Sequence, residues 1–206
     1  MSSTDSRAAI FAAIRANRPN IQPPLPDVPL FDAKAPADLA AAFSDMLGKM
    51  GGSVLDPQGQ DPINALRAAV ANKGIIATAV PELHGDPSLQ IRQVLPDMDP
   101  HSLADVEIGV VRAAFGVAET GSVCLTDTEL QVNTLGYLPQ HLIVLLDPAR
   151  IVPNLHHAYR QPEFREHNYA VFQTGPSATA DIEGVLIHGA QGVRSLRVLF
   201  CAPQAG

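Results

Sequence analysis

Cysteine and tryptophan are almost missing from this sequence: of its 206 residues 2 are cysteine and none is tryptophan. Two isolated thiols cannot by themselves supply the full ligand set of an ordinary iron–sulfur cluster. Cys124 and Cys201 are flanked by apolar residues, so they read as small buried hydrophobes in a reducing compartment. Long apolar runs are missing too. No stretch approaches the roughly 20 residues of a membrane span, and the first residues contain no apolar run ending in a cleavage site. The expected location is cytoplasmic. Basic runs are also absent: 14 Lys and Arg stand against 21 Asp and Glu, a net charge of -7, which argues against nucleic acid as a partner. Low charge does not mean disorder. With 46% hydrophobic and 17% charged residues the chain can fold around a core, while 18 prolines and 15 glycines interrupt any long coiled coil.

Residues 6–17 put Ile10, Phe11 and Ile14 on one helical face, and Arg18-Pro19 ends the pattern. Five prolines between Pro19 and Pro29 then predict an extended, semi-rigid arm. The expected division is an amino-terminal helix and arm over residues 1–35 and an α/β domain over residues 36–206. In that domain helices alternate with short apolar runs, the pattern of a mostly parallel sheet flanked by helices. Leu39, Phe43, Met46, Leu47 and Met50 recur at helical spacing before Gly51-Gly52, and a short strand follows at 53–55. Asp61-Pro62 opens a second helix with Ile63, Leu66 and Val70 on its buried stripe; Gly74 ends it before a strand at 75–79. Further strands are expected at 106–111, 122–126, 142–146, 170–172 and 196–201, those at 142 and 196 being interior because they are nearly all apolar.

Three stretches join glycine to hydroxyl and charged groups at strand ends, where α/β sheets place ligands. In Phe115-Gly116-Val117-Ala118-Glu119-Thr120-Gly121-Ser122, Gly121 permits a tight turn and Glu119 could serve as base or nucleophile, or simply accept N–H groups of its own loop. In the stretch from Gln173 to Glu183, Gly175 and Pro176 lead into an expected helix start. There Ser177, Thr179 and free N–H groups could hold an anion, or Asp181 and Glu183 could satisfy the helix end. In the stretch from His188 to Ser195, Arg194 could pair with a substrate carboxylate or stand solvated, and His188 reads as a hydrogen-bonded structural residue. No dinucleotide or phosphate-loop fingerprint and no lipase-type serine motif is present. Metal ligation has little support. Adjacent His156 and His157 diverge by about 100° on a helix, and His84 with Asp86, and Glu163, Glu166 and His167, read as solvated surface.

The stretches Ala118-Glu119-Thr120-Gly121-Ser122, Leu138-Pro139-Gln140-His141-Leu142-Ile143-Val144 and Thr174 to Glu183 make residues 100–201 resemble the lactate utilization protein C family, which shares the LUD domain. One departure lies in the closing loop. Where the family commonly has Gly-Val-His-Gly-Pro-Arg, this chain has Gly189-Ala190-Gln191-Gly192-Val193-Arg194, which removes the loop histidine. The resemblance implies a fold like that of sugar-phosphate isomerases and CoA transferases. It also implies a part in oxidising L-lactate to pyruvate beside two iron–sulfur partner proteins, with no cofactor bound by this chain alone. On that reading Glu119 is the candidate catalytic group. Gly121, Ser122, Gly175, Ser177, Thr179, Asp181 and Arg194 would bind a small carboxylate substrate. Two alternatives remain open: a CoA-transferase-like or ligase-like enzyme with Glu119 as nucleophile, and a non-catalytic scaffold.

Overall fold

The computed structural model describes residues 3–19, 21, 23–180, 186–189 and 192–203. Helix α1 (Ser3–Ala16) is followed by the proline arm, whose residues 23–30 have no regular structure. Both are solvent-facing: Ile10, Phe11 and Ile14 are exposed. Helix α2 (Leu39–Lys49) starts at Asp38, whose carboxylate accepts the Ala41 N–H, and buries Phe43 and Leu47, while Met50 beyond its end is exposed. After β1 (Ser53–Val54), helix α3 (Pro62–Val70) begins at Asp61, which accepts the Ile63 and Asn64 N–H groups, and buries the expected Ile63, Leu66 and Val70. The remaining elements are β2 (Ile76–Thr78), β3 (Ile91–Gln93), β4 (Ile108–Arg112), β5 (Phe115–Val117), β6 (Ser122–Thr126), α4 (Asp127–Leu130), β7 (His141–Leu146), β8 (Ile151–Val152), α5 (Leu155–Ala158), α6 (Glu163–Glu166), β9 (Ala170–Gln173), β10 (Ala178–Ala180), β11 (Leu186–His188) and β12 (Ser195–Phe200).

Six strands in the order β1-β12-β7-β4-β2-β3 form a wholly parallel sheet. Side-chain alternation divides its core in two. Leu142, Val144 and Leu146 of β7, with Leu196 and Val198 of β12, pack with Phe43 and Leu47 of α2. Ile143 and Leu145, with Leu199, pack with Ile63, Leu66 and Val70 of α3. β7 and β12 are therefore interior strands covered on both faces. A second sheet, β8-β5-β6-β9, joins the α2 face through Ala118, Val123, Leu125 and Ile151. Its outer face carries Phe115, Val117, Cys124 and Phe172 under Phe164. Both cysteines are buried, as expected.

The stretch after Gln173 departs from expectation. It forms strand β10, antiparallel to β11 with Thr179 opposite Ile187, in place of a helix start. The Ser177 N–H donates to the Val193 carbonyl and the Ser177 carbonyl accepts the Gly189 N–H, so Ser177 is tied into this hairpin through both backbone groups and its N–H is not open to an anion. β3, β5 and β8 are additional strands of two or three residues, too short to leave a periodic trace in sequence.

Candidate functional site

The three glycine bends are neighbours. Gly121 (φ 63°) lies against the backbone of α2: a Cβ there would sit 2.3 Å from the Leu47 nitrogen. Gly175 (φ 64°) lies against the end of the same helix, where a Cβ would fall 2.2 Å from the Met50 carbonyl oxygen. Only glycine tolerates both the left-handed backbone and the close approach. Ser122 is buried, donates to the Thr120 hydroxyl at 2.7 Å and touches the Thr174 hydroxyl, which links the first bend to the second. A Cβ on Gly192 would meet the Ser177 Cβ at 2.9 Å, which links the second to the third.

Their side chains nevertheless serve different spaces. A cavity of about 430 Å³ is lined by Glu119 together with Phe31, Lys34, Ala35, Pro36, Pro153, Asn154 and His156. A smaller one of about 220 Å³ is lined by Gly175 and Ser177 with Gly136, Tyr137, Gln173, Thr174, Pro176, Gly192 and Val193. Gly121 and Ser122 are structural neighbours of these cavities and line neither. Thr179 stands exposed on β10, and exposed Arg194 is held through its backbone N–H to the Gln140 carbonyl at 2.7 Å, away from both linings. Asp181, Glu183 and Gln191 lie outside the described residues.

In the larger cavity Glu119 Oε2 accepts the Leu155 N–H at the start of α5, 3.0 Å away, and the Glu119 N–H donates to the Pro153 carbonyl. The opposite wall comes from the end of the arm. Asn154 holds the Leu30 carbonyl at 2.8 Å, His157 meets Asp32 at 2.5 Å, and the Phe31 ring lies 4.6 Å from that of His156. The two histidines diverge as helical geometry requires: His157 is hydrogen-bonded to the arm, while His156 packs its ring against Phe31 and lines the cavity. Lys34 was absent from the residues singled out by sequence, and His156 was weighed there only as a metal ligand. The one local signal for His156 was Asn154, the helix cap two residues before it.

The smaller cavity is mostly backbone and hydroxyl. Gln173 Nε2 donates to the Gly136 carbonyl at 3.0 Å, and its Oε1 is buried without a hydrogen-bond partner among the described residues. Tyr137 and Tyr169 share a hydroxyl contact of 2.5 Å; burial, then that contact, pushes the Tyr169 phenol up to about 12. Three groups expected to be solvated are engaged instead: Glu163 is largely buried against Arg150, His167 Nδ1 lies 2.7 Å from Asp127, and Asp86 is paired with Arg67 at 3.1 Å. Their neighbours, brought close by folding, reclaim them from water.

Residues 100–201 match the LUD domain family. The chain carries a LUD domain. Over 102 residues it is 31% identical to an uncharacterized protein of Neisseria meningitidis, covering 48% of this chain and 44% of that one. An uncharacterized protein of Escherichia coli is 30% identical over 92 residues, 42% of this chain and 40% of the relative. Lactate utilization protein C of Anoxybacillus flavithermus is 33% identical over 86 residues, 41% and 39% of the two chains. The matched segment thus spans well under half the length of these relatives. A crystal structure of a DUF162 family protein from Deinococcus radiodurans superposes with a TM-score of 0.61 at 18% identity, covering 80% of this chain and 96% of that one, and shares the α/β fold. All three bends, Glu119 and His156 lie inside the LUD domain, whereas Phe31 and Lys34 reach the larger cavity from the arm outside it. No helix among the described residues is long and apolar enough to cross a membrane.

Proposed function

We propose that this chain acts in lactate utilization by holding a small 2-hydroxy carboxylate, L-lactate, in the cavity of Lys34, Glu119 and His156, while iron–sulfur partner proteins accept the electrons. The LUD domain and the relative named lactate utilization protein C support the pathway. The observation that carries the substrate class is the convergence of Lys34, His156 and Glu119 on one cavity of about 430 Å³.

The chemistry follows from the groups present. The Lys34 ammonium and an imidazole N–H of His156 complement a carboxylate, with charge assistance from the lysine. Glu119 Oε2 is occupied by the Leu155 N–H, which leaves its other oxygen to accept the substrate hydroxyl. Oxidation to the keto acid releases an electron pair and two protons, and on this reading Glu119 takes the hydroxyl proton. With only two cysteines in this chain, both buried, an iron–sulfur acceptor would sit on a partner.

Calorimetric titration with L-lactate tests the pocket. Lys34→Ala and Glu119→Gln should each weaken binding by about tenfold or more, since hydrogen bonds to charged groups contribute about 1.5–3 kcal/mol. Arg194→Ala, which changes neither cavity wall, should leave affinity unchanged. Lactate turnover reconstituted from purified iron–sulfur partners should stop when this chain is withheld. A chain that co-purifies with those partners but binds no lactate, or that turnover does not need, would reduce it to a scaffold.

A further inference from the structure

The parallel register sets His141 of β7 directly beside Ser195 of β12 on one side and Ile108 of β4 on the other. Adjacent strands lie about 4.8 Å apart, so side chains at one register touch. His141 Nδ1 is 2.8 Å from Ser195 Oγ, and His141 Nε2 is 3.7 Å from Glu107 Oε1, on the residue before β4. With Nδ1 accepting the serine proton, the neutral ring carries its own proton on Nε2, facing the carboxylate. Serine, base and acid thus lie in a row across the amino-terminal ends of three neighbouring strands. His141 and Glu107 keep 40% and 47% of their side-chain surface exposed. Glu119 and both cavity linings described above are separate from this row.

Arg197 lies two residues beyond Ser195 and therefore on the same face of β12, about 7 Å along the strand. It lines a further cavity of about 290 Å³ with Leu55, Asp56 and the Ala65, Ala68 and Ala69 side of α3. The Asp56 carboxylate is engaged with the Gln58 N–H at 2.8 Å.

We propose that Ser195 is a nucleophile activated by His141 and oriented through Glu107, acting on an activated acyl ester or thioester whose acyl chain ends in a carboxylate that Arg197 receives. Ser195 Oγ forms a bond to the acyl carbon as its proton passes to His141 Nδ1. The carbon–leaving group bond then breaks, and the alcohol or thiol departs with that proton. Water, deprotonated by the same histidine, attacks the acyl-serine to release the free acid and restore the hydroxyl. Glu107 faces the imidazolium formed in each half-reaction.

The purified full chain is mixed with the mono-4-nitrophenyl ester of succinic acid, and with 4-nitrophenyl acetate for comparison. The expected result is a burst of nitrophenolate with an acyl adduct on Ser195 by peptide mass spectrometry, at least about tenfold faster than in His141→Asn. The preference for the anionic ester should be lost in Arg197→Gln. Ser195→Cys supplies a second readout. Its thiol should be alkylated by iodoacetamide at least about tenfold faster with His141 present than in the Ser195→Cys, His141→Asn double variant. The native thiols add little background, because both are buried and burial, reinforced by Glu129 and Glu163, pushes Cys124 up to about 12. Acylation spread over other surface serines, or alkylation indifferent to His141, would overturn the proposal.

Discussion

Glu119 caps a helix to which it does not belong: its Oε2 accepts the Leu155 N–H at 3.0 Å, joining the bend after β5 to the first turn of α5. A carboxylate at a helix start gains from the hydrogen bond and from the open N–H groups of that end. Glu119→Ala should therefore lower unfolding free energy by about 1 kcal/mol, and Glu119→Gln, which keeps an acceptor oxygen, by less. Urea denaturation measures both. An alanine variant as stable as the parent would mean that water serves the Leu155 N–H equally well. The glutamine variant then isolates the role of charge in substrate binding from that of the cap.

The bends make a sharper structural prediction. Gly121→Ala and Gly175→Ala each combine a left-handed backbone with a methyl group driven into main chain, at 2.3 Å from Leu47 nitrogen and 2.2 Å from Met50 oxygen. Neither neighbour can yield without displacing α2, so a loss of about 2–4 kcal/mol is expected for each. Gly59 is the control. It has φ 77° with open space around its missing Cβ, so Gly59→Ala should cost only the conformational part, about 1 kcal/mol. Equal losses at all three positions would assign the whole effect to backbone preference and remove the packing argument.

These contrasts also mark what could be read from sequence. Phe43, Leu47, Ile63, Leu66 and Val70 announced two helices because each repeats its contact every turn, and the apolar runs at 142 and 196 announced interior strands because both faces are covered. Glu119 and Gly175 were singled out by local turn chemistry, yet their assignment to different cavities depends on contacts made far along the chain. Lys34 reaches its cavity only because residues 28–32 are tied to α5 and the residues flanking it, and no periodicity encodes that. The Ser195 and His141 contact is likewise a product of strand order: the residues are 54 positions apart and meet only when β12 lies beside β7.

Arg92 of β3 and Asp105 form a two-pronged ion pair with N–O distances of 2.6 and 3.0 Å, and Arg92 also reaches the Ser102 carbonyl. The hydrogen bond from Arg92, aided by its charge and outweighing desolvation, holds the Asp105 carboxyl below its ordinary 3.8. A folded-state value below the unfolded one favours folding above 3.8, and this contribution is lost as pH falls through the folded value. Wild type should therefore be more stable than Asp105→Asn at pH 7, with the gap closing below pH 3.8 as the carboxylate takes up its proton. Thermal melts of the two proteins across that range test the sign. A gap that stays constant on acidification would mean that the pair contributes through shape and not through charge.

The arm is held at its base by a graded set of contacts. Arg160 donates to the Val28 carbonyl at 2.8 Å, His157 meets Asp32, and Asn154 reaches the Leu30 carbonyl while also accepting the His157 N–H. Together they fix Phe31 at φ 57°, a left-handed backbone that costs a non-glycine residue about 1–2 kcal/mol. Asn154 does two jobs and is nearly buried, so Asn154→Ala should release the arm most. Loss of a helix cap alone is about 1 kcal/mol, which multiplies the open population roughly fivefold. Trypsin cleavage after Lys34 reads that population directly when opening is fast. Cleavage should accelerate most in Asn154→Ala, less in Asp32→Ala and least in Arg160→Ala, and L-lactate affinity should fall in the same order because Lys34 leaves the cavity with the arm. Faster cleavage at unchanged affinity would separate the arm from the proposed lactate site and confine that site to residues of the LUD domain.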